Sequence, residues 1–333
     1  GVDLPLKEKQ IFMKKTQRLS ELGNKFGNNV LDATQEWSIC LNKKQTKGLP
    51  EHALALGRAN AAKKNKDGWC YSLDAPSYQA LMTFADLRAL RKKVYVAFVT
   101  RASDIGPGEG KWDNSKTMQE ILKIRRKLSG LVGFNNYAQY SLATKMAKDT
   151  DQVMDFLNDL AMRTLPNGKK EAAELKKFAQ KHGVKKLEPW DVAYYSEKLK
   201  QEKFKLSQEE LRPYFPDTQV LKGMFKVAHR LFGITLKEKK GVPVWHPDVR
   251  FFEVYDSDGK LRGQFYADLY VRENKRGGAW MGEVKGRRRL KNGAVQIPVA
   301  YLICNFPPSI DGQPSLLTHY DVTTLFHEFG HCL

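Results

Sequence analysis

Cysteine is scarce in this 333-residue chain, and the four present, Cys40, Cys70, Cys304 and Cys332, lie far apart with no C-x-x-C pair. That spacing argues against a zinc knuckle, a redox dithiol or a disulfide scaffold, and leaves reduced cytosolic thiols as the simpler expectation. No run approaches the roughly 18 uninterrupted apolar residues of a membrane-spanning helix, so no membrane partner is expected. Acidic residues are also short, 37 Asp and Glu against 56 Lys and Arg, for a formal net charge of +19. An excess of that size can mark a nucleic-acid binder. Here the cations are scattered as KK and KEKK pairs through amphipathic segments, and no nucleic-acid partner is expected. The densest run, Lys285 to Lys291 (KGRRRLK), is flanked by glycine and reads as a solvated loop. A positive surface does favour encounter with acidic peptides. Internal repeats and low-complexity tracts are absent, and the start, Gly1-Val2-Asp3, has neither a methionine nor the pattern of a signal peptide.

What is present falls into two stretches. Up to about residue 240, apolar residues recur at helical spacing: Leu19, Leu22, Phe26 and Val30, then Leu122, Leu128 and Leu131, then Val153, Phe156, Leu157 and Leu160. Breaks are expected at Gly48-Leu49-Pro50, Gly106-Pro107-Gly108, Pro166-Asn167-Gly168 and Arg212-Pro213. Gly106, Gly108, Gly110 and Lys111 do not make a phosphate loop, because Ile105 stands where glycine is needed and Trp112 where Ser or Thr would hold magnesium. Beyond Val242, four short β-branched or aromatic segments read as strands: Val249 to Tyr255, Gly263 to Arg272, Gly278 to Met281 and Pro298 to Phe306. Asp256-Ser257-Asp258-Gly259 is a hairpin turn between the first two. The fold class expected is mainly α-helical with a small β-sheet.

The last nine residues contain His327-Glu328-Phe329-Gly330-His331, an H-E-x-x-H motif. Four residues of helix turn through about 400°, so the two imidazoles lie about 40° apart around the axis and about 6 Å apart along it, and can grip one ion. Glu328, offset by about 100°, can serve as a general base toward water. Thr318 and Asp321 form a capping-box pattern, and Val322, Leu325, Phe326 and Phe329 supply the stripe of a packed helix. A carboxylate between two histidines on an apolar helix is costly unless a cation compensates it. The bland alternative is two core histidines beside a solvated glutamate. Of the other histidines, His246 reads as structural and His52, His182 and His229 as surface; His319, two turns before His327, is weighed as a support for the metal ligands but not assigned to the site. Cys332 points away from the ligand face.

The run Asn305 to Leu333, NFPPSIDGQPSLLTHYDVTTLFHEFGHCL, closely resembles the metal-site segment of the thimet oligopeptidase family of zinc peptidases, in particular its bacterial oligopeptidase A branch. NNVLDAT (Asn28 to Thr34), TRASD with GKWDNS (Thr100 to Ser115), SLATKMA (Ser141 to Ala147), PWDVAYYSEK (Pro189 to Lys198), LRPYFP (Leu211 to Pro216), VWHPDVRFFE (Val244 to Glu253) and ENKRGGAWM (Glu273 to Met281) resemble it in the same order. Cys332 departs from the family, which usually has glycine there. The resemblance implies a zincin-like catalytic core beginning within residues 243 to 333, with residues 1 to 242 as the helical wall of a channel that excludes folded proteins. It implies one Zn2+ held by His327 and His331 with a third ligand, a glutamate, on a later helix that this chain lacks, so the chain reads as an internal piece of a longer enzyme. It also implies Glu328 as catalytic base, and Gly278, Ala279 and Trp280 as the strand edge that pairs with substrate, against the plainer reading of a strand whose glycines mark a bulge. The expected function is zinc-dependent endopeptidase hydrolysis of short peptides by a cytoplasmic monomer. A dipeptidyl carboxypeptidase of the same family, and an inactive fragment or basic scaffold, are the alternatives.

Overall fold

The computed structural model describes residues 1–310 and 312–333, and the chain divides into two compact units. One comprises residues 1–37 and 91–199 and is helical. Its helix Leu6–Glu36 lays Leu22, with Phe12 and Leu19, against Ile121, Ile124 and Leu128 of the helix Ser115–Leu131. Arg18 clamps Glu120 with two hydrogen bonds of 2.8 and 3.1 Å across the same pair. Buried Asn114 accepts from Asn29 at 2.9 Å and donates to the Phe26 carbonyl at 3.1 Å. Lys111, the lysine of the rejected phosphate loop, pairs with Glu36 at 2.6 Å.

One expected break does not occur. Helix Thr150–Lys181 continues through Pro166 for 32 residues. Proline removes one backbone donor and crowds the carbonyl four residues earlier. Here the surrounding stretch is exposed to solvent, where water can take up the freed carbonyl, and the helix is long enough on either side to persist. Its apolar residues Phe156, Leu157 and Leu160 are exposed.

The second unit comprises residues 38–90 and 200–333. It opens with a two-stranded sheet that the helical pattern of the first 240 residues does not anticipate: β1 (Ser38–Leu41) pairs antiparallel with β2 (Trp69–Ser72), across the intervening helix Glu51–Lys63. The register sets Cys40 opposite Cys70, and the two form a disulfide. The expectation of four reduced thiols is corrected accordingly. Thirty residues separate the two cysteines in sequence, but antiparallel pairing places directly opposed residues within about 5.5 Å.

A five-stranded sheet carries the rest, in the order β3-β4-β5-β9-β6. Its strands are β3 (Thr235–Glu238), β4 (Arg250–Tyr255), β5 (Leu261–Tyr270), β6 (Trp280–Lys285) and β9 (Val299–Phe306). All four expected strands are present, joined by β3, which the sequence pattern had left among the helices. The turn after β4 forms as expected, with Asp256 N bonded to the Lys260 carbonyl at 3.0 Å and Gly259 at φ +77°. Leu302, Cys304 and Phe306 alternate on one face of β9 and pack with Phe252, Phe265 and Leu269 against Val220, Leu221 and Met224 of helix Asp217–Phe232 and Leu325 and Phe329 of helix His319–Cys332. On the other face, Trp245 packs on Tyr266 and Tyr301 at ring separations of 5.1 and 5.3 Å. Strand β6 begins at Trp280, two residues later than expected, because Gly278 at φ +97° cannot sit in an extended strand. The basic run is an ordered hairpin: β7 (Arg288–Arg289) pairs with β8 (Val295–Gln296).

Candidate active site

Two anchors fix the start of the motif helix, His319–Cys332. Thr318 caps it: its Oγ1 accepts from Asp321 N at 3.0 Å while the Asp321 carboxylate accepts from Thr318 N at 2.9 Å, the reciprocal box that the spacing predicts. The preceding segment is bonded to residues 212–217. Leu317 N donates to the Phe215 carbonyl at 2.9 Å, Asp217 N to the Ser315 carbonyl at 2.9 Å, and Arg212 Nη1 to the Leu316 carbonyl at 2.8 Å. Buried Leu325 and Phe329, with partly buried Val322 and Phe326, then set the rotation of the helix on the sheet.

That rotation leaves His327 and His331 exposed side by side, with their Nε2 atoms 3.2 Å apart and their rings at 88°. Two nitrogens bound at 2.0–2.1 Å to one tetrahedral zinc would stand roughly 3.3–3.4 Å apart, so the donors and their separation fit a shared ion. The same separation accommodates a hydrogen bond from one ring to the other. Among the described residues no cluster of three or more His, Cys, Asp or Glu forms a metal site. Glu328 turns inward and is 7% exposed. Burial chiefly, and the Glu328 carboxylate in addition, push the Cys332 thiol up to about 12 and raise Cys304 likewise. His319 lies exposed at the helix start with its ring 6.3 Å from Phe215. Away from the motif, His52 Nδ1 lies 2.5 Å from Glu209 Oε2 and is half-buried, which corrects its reading as a surface residue. His182 and His229 contact the carbonyls of Phe178 and Ile234.

The segment before β6 is held from beneath. Lys275 Nζ lies 2.6 to 2.9 Å from four oxygens, the carbonyls of Asp268, Tyr270 and Cys304 and the Asp268 carboxylate. Asp268 also accepts two hydrogen bonds from Arg272, at 2.6 and 2.7 Å, and one from Trp245 Nε1 at 2.9 Å. Burial works to raise the Asp268 carboxyl, but the donors Arg272, Lys275 and Trp245 outweigh it and hold the group at about 2. Burial lowers the Lys275 ammonium, and Asp268 returns only part of that loss. Asn305 Nδ2 donates to the carbonyls of Arg276 and Gly278 at 2.9 and 2.7 Å, fixing the turn from which β6 departs. Ala279 is partly buried against the core shared with the motif helix, whereas Gly278 and Trp280 are exposed.

Comparison with known proteins shows where this arrangement belongs. Residues 81–333 match the family model for peptidase family M3. The chain belongs to peptidase family M3. It is 54% identical over 335 residues to oligopeptidase A of Escherichia coli, covering all of this chain and 49% of that protein. It is 50% identical over 333 residues to oligopeptidase A of Haemophilus influenzae, covering 99% of this chain and 49% of that protein. Dipeptidyl carboxypeptidase of Escherichia coli is 34% identical over 316 residues, 94% of this chain and 45% of that protein. The chain thus spans about half the length of the curated relatives it matches.

Within this M3 chain, sequence reasoning did not single out Asp268, Arg272, Lys275 or Asn305. Lys275 stands inside the ENKRGGAWM block that carries the family resemblance, which was the available signal. Its role depends on three carbonyls from two strands, and no spacing rule in one segment reveals those.

Proposed function

We propose that this chain supplies the metal-binding helix, the general base and the substrate-pairing strand of a zinc-dependent oligopeptidase that hydrolyses internal bonds of short peptides. Residues 1–242 form a channel wall and residues 243–333 begin the zincin-like core. His327 and His331 would hold Zn2+, and a third ligand would be supplied by a segment corresponding to the part of the relatives that this chain does not span. The 3.2 Å separation of the two Nε2 atoms carries this reading, because it brings two nitrogen donors close to the distance that sharing one ion requires. Bound there, zinc would polarise the scissile carbonyl and lower the pKa of water. Glu328 accepts the proton of the attacking water on its carboxylate and delivers it to the leaving amine.

Gly278, Ala279 and Trp280 position the peptide. Strand β6 is an outer strand of its sheet, with β9 on one side, so its other edge can bond to a substrate backbone and hold peptides of varied sequence. The Lys275 and Asn305 contacts set the starting point of that edge.

The protein acts as a monomer in the cytoplasm. No helix among the described residues is long and apolar enough to cross a membrane. The Cys40–Cys70 disulfide weighs against a reducing compartment, so its state in the isolated protein bears on this part of the proposal.

Peptide cleavage by the intact protein should stop on chelation, return with zinc and give products from internal bonds. Release of C-terminal dipeptides alone would favour the carboxypeptidase reading, which the lower identity to that relative disfavours. Hydrolysis indifferent to metal would contradict both. On this reading residues 1–333 by themselves bind zinc weakly, since catalytic zinc sites use three protein ligands.

A further inference from the structure

The cations of the sheet are matched to acids almost one for one. Lys239 pairs with Glu253, Arg250 with Glu238, Lys260 with Asp258, Arg262 with Asp256, and both Arg272 and Lys275 with Asp268. The hairpin that continues β6 breaks this pattern. Lys285, Arg287, Arg288, Arg289 and Lys291 are all exposed, and among the described residues none has an acidic partner. Glu283, the single acid between Trp280 and Lys291, pairs with none of them.

These charges sit on a formed element. Leu290 N donates to the Ala294 carbonyl at 2.8 Å, Gln296 Nε2 to the Gly286 carbonyl at 2.8 Å, and Arg287 Nη1 to the Arg262 carbonyl of β5 at 3.3 Å. Lys285 ends β6, Arg288 and Arg289 form β7, and Arg287 lies in the two-residue link between them, so five cations fall within the seven residues 285–291. Unpaired like charges held this close repel one another, and an anion relieves that repulsion.

We propose that the hairpin Lys285–Gln296 is a carboxylate subsite that selects peptides carrying acidic groups remote from the bond being cut. The proposal rests on β6 as the substrate strand. Ala279, at the beginning of that strand, packs against the core of the motif helix, and the strand then leads to the hairpin. At about 3.4 Å per residue, Lys285 lies some 17 Å along the strand from Trp280; β6 ends there, so for Arg289 roughly 30 Å is the upper bound that a fully extended chain would give. A carboxylate two residues from the cut bond, at about 7 Å, falls short of the hairpin. The subsite therefore reads groups about five to nine residues away, either acidic side chains or the terminal carboxylate of a peptide of suitable length.

Binding separates this proposal from the peptidase reading. The probe is a set of fluorescein-labelled dodecapeptides, one neutral and two carrying paired glutamates near either end, each with a free or amidated C-terminus. They are titrated against the intact protein bearing Glu328→Gln, at low and at high salt. At low salt one acidic peptide should bind about tenfold more tightly than the neutral one, as expected for a few exposed charge pairs, and the difference should collapse in about 0.5 M salt. Loss of the gain on amidation alone would assign it to the terminal carboxylate. The preference should vanish in Arg287→Gln/Arg289→Gln and survive in Arg287→Lys/Arg289→Lys. Equal binding of all peptides, or an unchanged preference in the glutamine variant, would overturn the proposal. Failure of the wild-type protein to cleave any peptide would instead strike the peptidase reading and leave the binding result to stand by itself.

Discussion

Replacing Asp268 by alanine should be among the most damaging single changes in the sheet. Asp268 is 3% exposed and Lys275 is 6% exposed at its side chain, so the substitution leaves a buried ammonium without its carboxylate. Breaking a buried pair from one side typically costs about 3–5 kcal/mol. Three backbone carbonyls remain around Lys275 Nζ, which places this case at the lower end, about 3 kcal/mol. The carboxyl gives a similar figure. Its lowering from 3.8 to about 2 corresponds to about 2.5 kcal/mol. Because the folded-state pKa is depressed, this contribution is fully present above the unfolded value and is lost as pH falls through about 4 toward 2. Urea unfolding followed by tryptophan fluorescence should show the midpoint of Asp268→Ala falling at neutral pH, with the gap to wild type closing near pH 2. The double variant Asp268→Leu/Lys275→Met removes the buried pair and leaves Arg272, 21% exposed at its side chain, to solvent; it should recover part of the loss, the three carbonyls freed from Lys275 retaining the remainder. A change within about 0.5 kcal/mol for Asp268→Ala at pH 7 would refute the reasoning.

Two further outcomes follow from local geometry. Alkylation of the denatured, unreduced protein should label Cys304 and Cys332 only, and reduction should raise the count to four; four labels without reductant would show that Cys40 and Cys70 are not joined. Gly278→Ala should cost about 1–2 kcal/mol of stability through its positive φ alone, since an added Cβ meets no atom within 4 Å, and unchanged stability would remove the conformational argument.

Signals confined to one segment were legible in the sequence. The Thr318–Asp321 box, the Asp258-Gly259 turn and the β-branched or aromatic runs of β4, β5 and β9 each depend on neighbours a few residues away, and each took its expected form. What depends on pairing across the chain was not legible. The Cys40–Cys70 link requires the β1–β2 register, β3 owes its strand to β4, and Lys275 is fixed by carbonyls on β5 and β9. Pro166 differs from its expected break for another reason: Pro-Asn-Gly favours a turn locally, but the helix that contains it has 32 residues and continues on both sides. At the motif, helical spacing gave the juxtaposition of His327 and His331, whereas the inward turn of Glu328 follows from how the helix rests on Cys304 and Phe265 of the sheet.

The central claim is that His327 and His331 bind zinc while Glu328 moves the proton. It is tested most directly by measuring zinc content and kcat together for Glu328→Gln in the intact protein. The account predicts stoichiometric zinc with kcat reduced by about 10²- to 10⁴-fold, the loss expected when general-base help alone is removed. Loss of the metal along with activity would make Glu328 a ligand, and retained activity would remove it from the chemistry.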